Sequence, residues 1–263
     1  MAKQESKEIA VKKTAPAPVV AQAYRQSVVD MSDIIVPKLL LAQGLSKSVA
    51  AGEAKMGDFT NSLNGAVVGN ATTPITFIPV TLKKYWKRFE MVNGKKQFRG
   101  TETFTRENAG RERETNAPSQ MNPSVMTKWS YDLTIDLYGF TEDDVQDPIS
   151  LPTVVSFTRS SYKAGQKANT HFAMLDGAEP QIPYSTYMLS VFAEKTQNDK
   201  GIFYTFDLKP KMDGKKMAKT PVEYMPKVDR WSKILNDDSR NVVVDDADDT
   251  ANEVSASVDE SKF

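Results

Sequence analysis

Hydrophobic and polar positions in this chain alternate with a period of two far more often than they recur at helical spacing. From Trp129 to Leu137 the residues Trp129, Tyr131, Leu133, Ile135 and Leu137 alternate with Ser130, Asp132, Thr134 and Asp136, which predicts a strand with one buried and one wet face. Ile75 to Arg106 reads as a long hairpin turning at Asn93-Gly94, a dipeptide that tolerates the positive φ of a tight turn. Two shorter hairpins are predicted. Phe59 and Val67-Val68 flank Asn64-Gly65, and the runs 187–193 and 202–208 flank Asn198-Asp199-Lys200-Gly201. Ile34 to Leu41 is an apolar run broken by Pro37, as at an edge strand or a strand start.

Helical spacing is found in two places. After the short strand Pro152 to Phe157, a helix capped by Thr158 or Ser156 would turn Tyr162, Ala168, Phe172 and Leu175 inward. Arg159, Lys163, Lys167 and His171 would then form an outer basic stripe. Near the end, Thr220-Pro221-Val222-Glu223 reads as a capping box for a closing helix (Tyr224, Val228, Trp231, Leu235), kinked by Pro226. Residues 107–125, rich in Asn, Gly and Pro, read as loop. Many short strands with few helices predict a mainly β protein, an OB-like antiparallel β-barrel with one or two peripheral helices and disordered termini. The expected organisation is a disordered arm over 1–30, one folded domain over 31–235 and an acidic flexible tail over 236–263.

Composition narrows the chemistry. With no Cys and a single His, disulfides, thiol catalysis and Cys- or His-based metal sites are excluded, and no cofactor is expected. Residues 1–22 lack the apolar run of a signal peptide or membrane span, so a cytosolic location is expected. No phosphate loop, GxGxxG, HExxH or GxSxG is present. Asp132, Asp136 and Glu142-Asp143-Asp144 are the residues on which a metal-dependent nuclease would rest. Their placement on an outward strand face and in a following turn favours solvated surface instead.

Charge is distributed unevenly. The tail from Asn236 has nine acids against Arg240 and Lys262, or −7, in a chain with 34 bases and 34 acids; the rest therefore carries +7. The densest basic window starts at Lys83, Lys84, Tyr85, Trp86, Lys87, Arg88 and Phe89. It continues through Lys95, Lys96, Phe98, Arg99 and Phe104 to Arg106, Arg111 and Arg113, interleaving ten bases with five aromatic residues. Bases that neutralise phosphates beside rings that stack on unpaired bases are the composition of a single-stranded nucleic-acid groove. Alternation divides Lys84, Trp86 and Arg88 from Lys83, Tyr85, Lys87 and Phe89, and either face could be the binding one. The tail, ending Asp259-Glu260-Ser261-Lys262-Phe263, reads as a partner-binding handle that also competes for the basic groove when DNA is absent.

Several segments resemble the single-stranded DNA-binding proteins of tailed bacteriophages, closest to those of podophages that carry a virion RNA polymerase. They are the Ile35 to Gln43 run, Gly57-Asp58-Phe59-Thr60-Asn61-Ser62, Val154-Val155-Ser156-Phe157, Asn198-Asp199-Lys200-Gly201 and the Phe-terminated acidic tail. The resemblance implies a non-enzymatic protein that coats single-stranded DNA during phage replication and recombination in the host cytoplasm, with replication or recombination proteins held by the tail. It also implies an alternative, a transcription coactivator contacting host RNA polymerase through the C-terminus. Lys262 departs from the usual bacterial tail, which has Asp residues and Pro before the Phe, and so favours the polymerase as partner.

Overall fold

The computed structural model describes residues 34–199, 201–237 and 243–244. Its elements, in chain order, are β1 (Ile35–Val36), β2 (Lys38–Leu41), α1 (Lys47–Ala50), β3 (Phe59–Asn61), β4 (Val67–Gly69), β5 (Ile75–Val92), β6 (Lys95–Thr103), β7 (Glu114–Pro118), β8 (Met126–Thr141), α2 (Glu142–Gln146) and β9 (Thr153–Thr158). After these come α3 (Tyr162–Asp176), β10 (Leu189–Asn198), β11 (Gly201–Pro210), β12 (Met212–Asp213), β13 (Lys216–Met217), α4 (Met225–Leu235) and β14 (Val243–Val244). The protein is mainly β, and its large sheet is mixed, because β2 runs parallel to β9 while its other pairings are antiparallel.

The sheet follows the order β11-β10-β5-β8-β9-β2-β3-β4, with β6 added to β5 and β7 to β8. It does not close into a barrel. Where β11 approaches the chain after β2, the contact is made by one side chain: Gln43 Nε2 donates to Tyr204 O at 2.8 Å and Tyr204 N donates to Gln43 Oε1 at 3.0 Å. A primary amide thus occupies the place of one residue of a missing strand. The run Ile34 to Leu41, read as an edge strand or the start of a buried one, puts β2 inside the sheet between β9 and β3, with Pro37 outside both short strands.

Strands β5 and β8 carry the structure. Asn93 (φ 52°) and Gly94 (φ 75°) make the tight turn from β5 to β6 that the dipeptide predicts. Pro79, inside β5, lies between the last residue paired with β10 (Phe77) and the first paired with β6 (Tyr85), so its missing N–H removes no bond on that side. The register shift against β8 at the same point keeps Phe77 and Leu82 on one face of the sheet and Ile78 and Val80 on the other.

Each face has its own core. On one, Phe77, Ile135, Leu137, Val155, Phe157, Leu189 and Val191 pack under α3 through Ala164, Ala168, Phe172 and Leu175. On the opposite face, Ile78, Val80, Tyr138, Phe140 and Val154 pack under Val228, Trp231 and Leu235 of α4. These are called the α3 face and the α4 face below.

Three local expectations differ from the structure. Residues 107–125 contain β7, a polar edge strand lacking the apolar alternation that marks its neighbours. The closing helix begins at Met225, after a 3₁₀ turn over Val222–Tyr224. Pro226 therefore sits in its first turn, where no helical N–H is lost and no kink results. Thr220 Oγ1 has no hydrogen-bond partner, so the expected capping box is absent. The basic stripe on α3 is divided too, since Arg159 precedes the helix in a 3₁₀ turn and Lys167 pairs with Asp207 at 2.5 Å.

Gly139 of β8 is fixed by close approach. A Cβ there would lie 2.3 Å from the Ile78 carbonyl oxygen and 2.4 Å from the Phe77 ring. Gly139→Ala is expected to lower stability by about 2–4 kcal/mol through forced separation of β5 from β8, measured by urea denaturation; an unchanged midpoint would contradict the packing.

Candidate nucleic-acid interface

Beyond the helices, β6, β5, β8 and β7 extend as a four-stranded arm, and the basic window falls on its inner strands. Register places Lys84, Trp86, Arg88 and Glu90 on the α3 face, opposite Ile135, Leu133, Tyr131 and Trp129. This set is engaged within the protein. Trp86 is 4% exposed, its Nε1 donates to Asn108 Oδ1 at 3.2 Å, and its ring lies 6.4 Å from Phe104. Lys84 Nζ sits 3.6 Å from the Phe104 ring centroid, and burial pulls its ammonium below the usual lysine range. Arg88 covers Trp129, and Arg111 covers Tyr131 while making two bonds of 2.6 Å to Glu102. The hydrogen bond from Arg111 holds the Glu102 carboxyl below its ordinary range. Arg99 joins this face through Glu90, at 2.7 Å. Cation–π contacts and ion pairs of this kind close the face under the 104–113 segment.

The α4 face of the arm differs. Lys83 pairs across the strands with Asp136, Tyr85 with Thr134, Lys87 with Asp132, and Phe89 with both Ser130 and Phe98. Lys96 reaches Asp132 at 3.7 Å and lies 4.7 Å from the Phe89 ring centroid. Phe89 is 5% exposed, packed edge-on against Phe98, whereas Phe98 is 40% exposed and Lys95 lies exposed at the turn. On this face Tyr85 and Phe98 are the rings that keep exposed surface.

Asp136, expected on a wet face, is not on one, and Asp132, which shares its face, is half-buried. Asp136 is fully buried, with Tyr85 Oη and Ser156 Oγ each donating to its carboxylate at 2.6 Å. Burial pushes this carboxyl above the usual carboxylate range, against the downward pull of the Ser156 and Tyr85 hydroxyls and of the Lys87 and Lys38 charges. Lys87 and Lys38 are 3% and 2% exposed, and Thr134 is fully buried. Asp132 is bound by Arg159, whose Nη2 donates at 2.7 Å from a residue held at φ 43°. A non-glycine residue in that region is a local strain, sustained here where the guanidinium meets the sheet. The face thus gathers five bases (Lys38, Lys83, Lys87, Lys96, Arg159) around two carboxylates, a positive surface over a polar floor.

Glu142, Asp143 and Asp144 lie apart from this floor, in the first turn of α2, where Thr141 Oγ1 accepts from Asp144 N. Among the described residues no group of three or more His, Cys, Asp or Glu side chains could hold a metal ion. Lys38, Ser156 and Arg159 were missing from the sequence-derived set for the face. Their signal was present, since Lys38 and Ser156 are lone polar residues inside apolar strand runs. The tail residues Asp259, Glu260, Ser261, Lys262 and Phe263 lie outside the described residues.

These features define a mainly β protein with an open mixed sheet and a long arm, basic and partly aromatic on one face. A family model described as Pam3 phage gp34-like protein matches residues 10–225, and the chain belongs to that bacteriophage family. Neither a curated protein nor a solved structure matches it. Among the described residues no helix is long and apolar enough to cross a membrane.

The two faces predict opposite outcomes for ring removal. Trp86→Ala should cost about 3–5 kcal/mol of stability through the cavity under the 104–113 segment, and Phe98→Ala about 1 kcal/mol or less. Equal losses in thermal or urea unfolding would contradict the assignment of Trp86 to the interior.

Proposed function

We propose that this protein binds single-stranded DNA non-catalytically across the α4 face of β8, β9 and the arm, coating it during phage DNA replication and recombination in the host cytoplasm. One observation carries the reading. Strands β5, β8 and β9 are consecutive antiparallel neighbours, and β10 returns after α3 to lie beside β5, giving the Greek-key order β10-β5-β8-β9, with β11 as a fifth strand. An OB-like sheet is a partly open five-stranded Greek key that takes oligonucleotides on its second and third strands and on the loop joining its first and second. In that numbering β8 and β9 are the second and third strands, and the arm tip is the joining loop. The bases and accessible rings of the α4 face fall on these positions. Lys83, Lys96 and Arg159 would meet phosphates, with the buried Lys87 beneath them, and Tyr85 and Phe98 would stack on bases. Lys84, Trp86, Arg88 and Arg99 would instead support the arm from behind.

The tail belongs to the same reading. β14 runs parallel to β1, Val243 beside Ile35 and Val244 beside Val36, and in the sequence the acidic run Asp245-Asp246-Ala247-Asp248-Asp249 follows Val244 directly. From there the tail competes with DNA for the basic face, and its end, Asp259 to Phe263, serves replication partners or host RNA polymerase.

Anisotropy titration of fluorescein-labelled oligo-dT should show tight, salt-sensitive binding with weak affinity for duplex; equal affinity for both would overturn the reading. Phe98→Ala should cost about 1–3 kcal/mol of binding, as for loss of a stacked base, while Lys83→Ala and Lys96→Ala should each reduce the salt slope by about 0.7. Removing residues 245–263 should leave oligo-dT binding equal or tighter, and weaker binding would refute tail competition.

A further inference from the structure

We infer that Asp136 is a positioning residue of the proposed strand-binding face, and that its carboxylate makes strand binding take up a proton. This rests on the single-stranded DNA reading and concerns the same face. Asp136 has no access to water, and the hydrogen bonds it accepts come from the Tyr85 and Ser156 hydroxyls. The bond from Tyr85 ties a proposed stacking ring to the middle of β8, so the ring is held in place before a base arrives.

The charged and titratable groups facing Asp136 come from every strand around it. They are Lys83, Tyr85 and Lys87 from β5, Lys38 from β2, and Asp132 and Tyr138 from β8 itself; β9 contributes the neutral Ser156. Lys96 and Arg159 reach the group through Asp132. Burial opposes the carboxylate form, and the neighbouring lysines favour it.

A phosphate backbone laid over Lys83, with the buried Lys87 and Lys38 beneath it, competes for the same positive potential and adds negative charge above a carboxylate that no water can screen. The carboxyl is then better held as the neutral acid, which still accepts from one hydroxyl and can donate in its turn. Its proton affinity is therefore higher in the complex than in the free protein. Between the two titration points binding tightens as pH falls, by up to about tenfold per pH unit for one proton, and outside them the affinity is level.

The experiment is calorimetric titration of the full chain with oligo-dT in two buffers of different ionisation heat, joined to anisotropy over about pH 5 to 8. The wild-type protein is expected to take up a fraction of a proton per site, approaching one at the middle of the window. Asp136→Asn keeps the shape and an acceptor for Tyr85. It should bind several-fold tighter at neutral pH, take up no proton and give a level pH profile. Ser156→Ala removes one donor to the charged form and should move the window upward; this variant tests the idea even if Asp136→Asn folds poorly. Proton uptake that persists in Asp136→Asn, or an unmoved window in Ser156→Ala, overturns the inference. Wild-type binding without proton uptake also overturns it and leaves the DNA-binding reading standing, whereas no binding at any pH removes both.

Discussion

The pairing of β5 with β8 is the constraint on which the rest depends. Thirteen aligned positions, from Phe77 opposite Thr141 to Glu90 opposite Trp129, hold two long strands together past the end of either helix. Both cores are built on that pair: Phe77 and Leu137 face α3, and Ile78 and Phe140 face α4. The arm is the same pair continued beyond the helices, with β6 and β7 covering its edges. A two-stranded ribbon of this length would be marginal by itself, so the edge strands and the ring–cation contacts on the α3 face are what make it a firm platform. Close approach at Gly139 is the local price, since no side chain fits between that backbone and the Phe77 ring.

Much of this framework was legible in the residues. Alternation from Trp129 to Leu137 marked β8, Asn93-Gly94 marked the arm's turn, and the division of Lys84, Trp86 and Arg88 from Lys83, Tyr85, Lys87 and Phe89 is the one that the register shows. What alternation could not tell was whether a polar face is wet. Period two says only that Asp136 and Leu137 point to opposite sides of a sheet, and two-sided burial depends on distant elements, here β2 with Lys38 and β9 with Ser156. The same gap left β2 open between an edge and an interior place, because a four-residue apolar strand looks alike at an edge or between neighbours. β7 was invisible for a different reason: Glu114–Pro118 has no apolar face, and its strand character comes from pairing with β8 alone.

The two faces of the arm use similar residues to opposite ends. On the α3 face four bases are matched by a ring or a carboxylate: Lys84 by Phe104, Arg88 by Trp129, Arg111 by Tyr131 and Glu102, Arg99 by Glu90. On the α4 face Lys38, Lys83, Lys87, Lys96 and Arg159 gather around Asp132 and Asp136, beside a Lys128–Glu114 pair, and burial pushes the Asp136 carboxyl towards its neutral form. Sequence composition sums the two faces into one basic, aromatic window, although on the α3 face these bases are engaged by rings and carboxylates within the protein. That difference is the basis for proposing an anionic ligand on the α4 face rather than on the face that holds both tryptophans of the arm.

The open seam bears on how far the OB-like comparison extends. In a closed barrel the last strand would complete its hydrogen bonds against a neighbouring strand, but here β2 occupies the position beside β9, and β11 is hydrogen-bonded to the Gln43 side-chain amide. The insertion of β2 brings Lys38 into the sheet next to β9, on the side of Val154 and Tyr138, and so adds a base to the proposed binding face. β1 precedes β2 by one residue, Pro37, and is paired with β14. One departure from a closed barrel therefore has two consequences for the same side of the sheet: it supplies a buried lysine beneath the proposed face, and it leaves β1, one residue before β2, paired in parallel with β14.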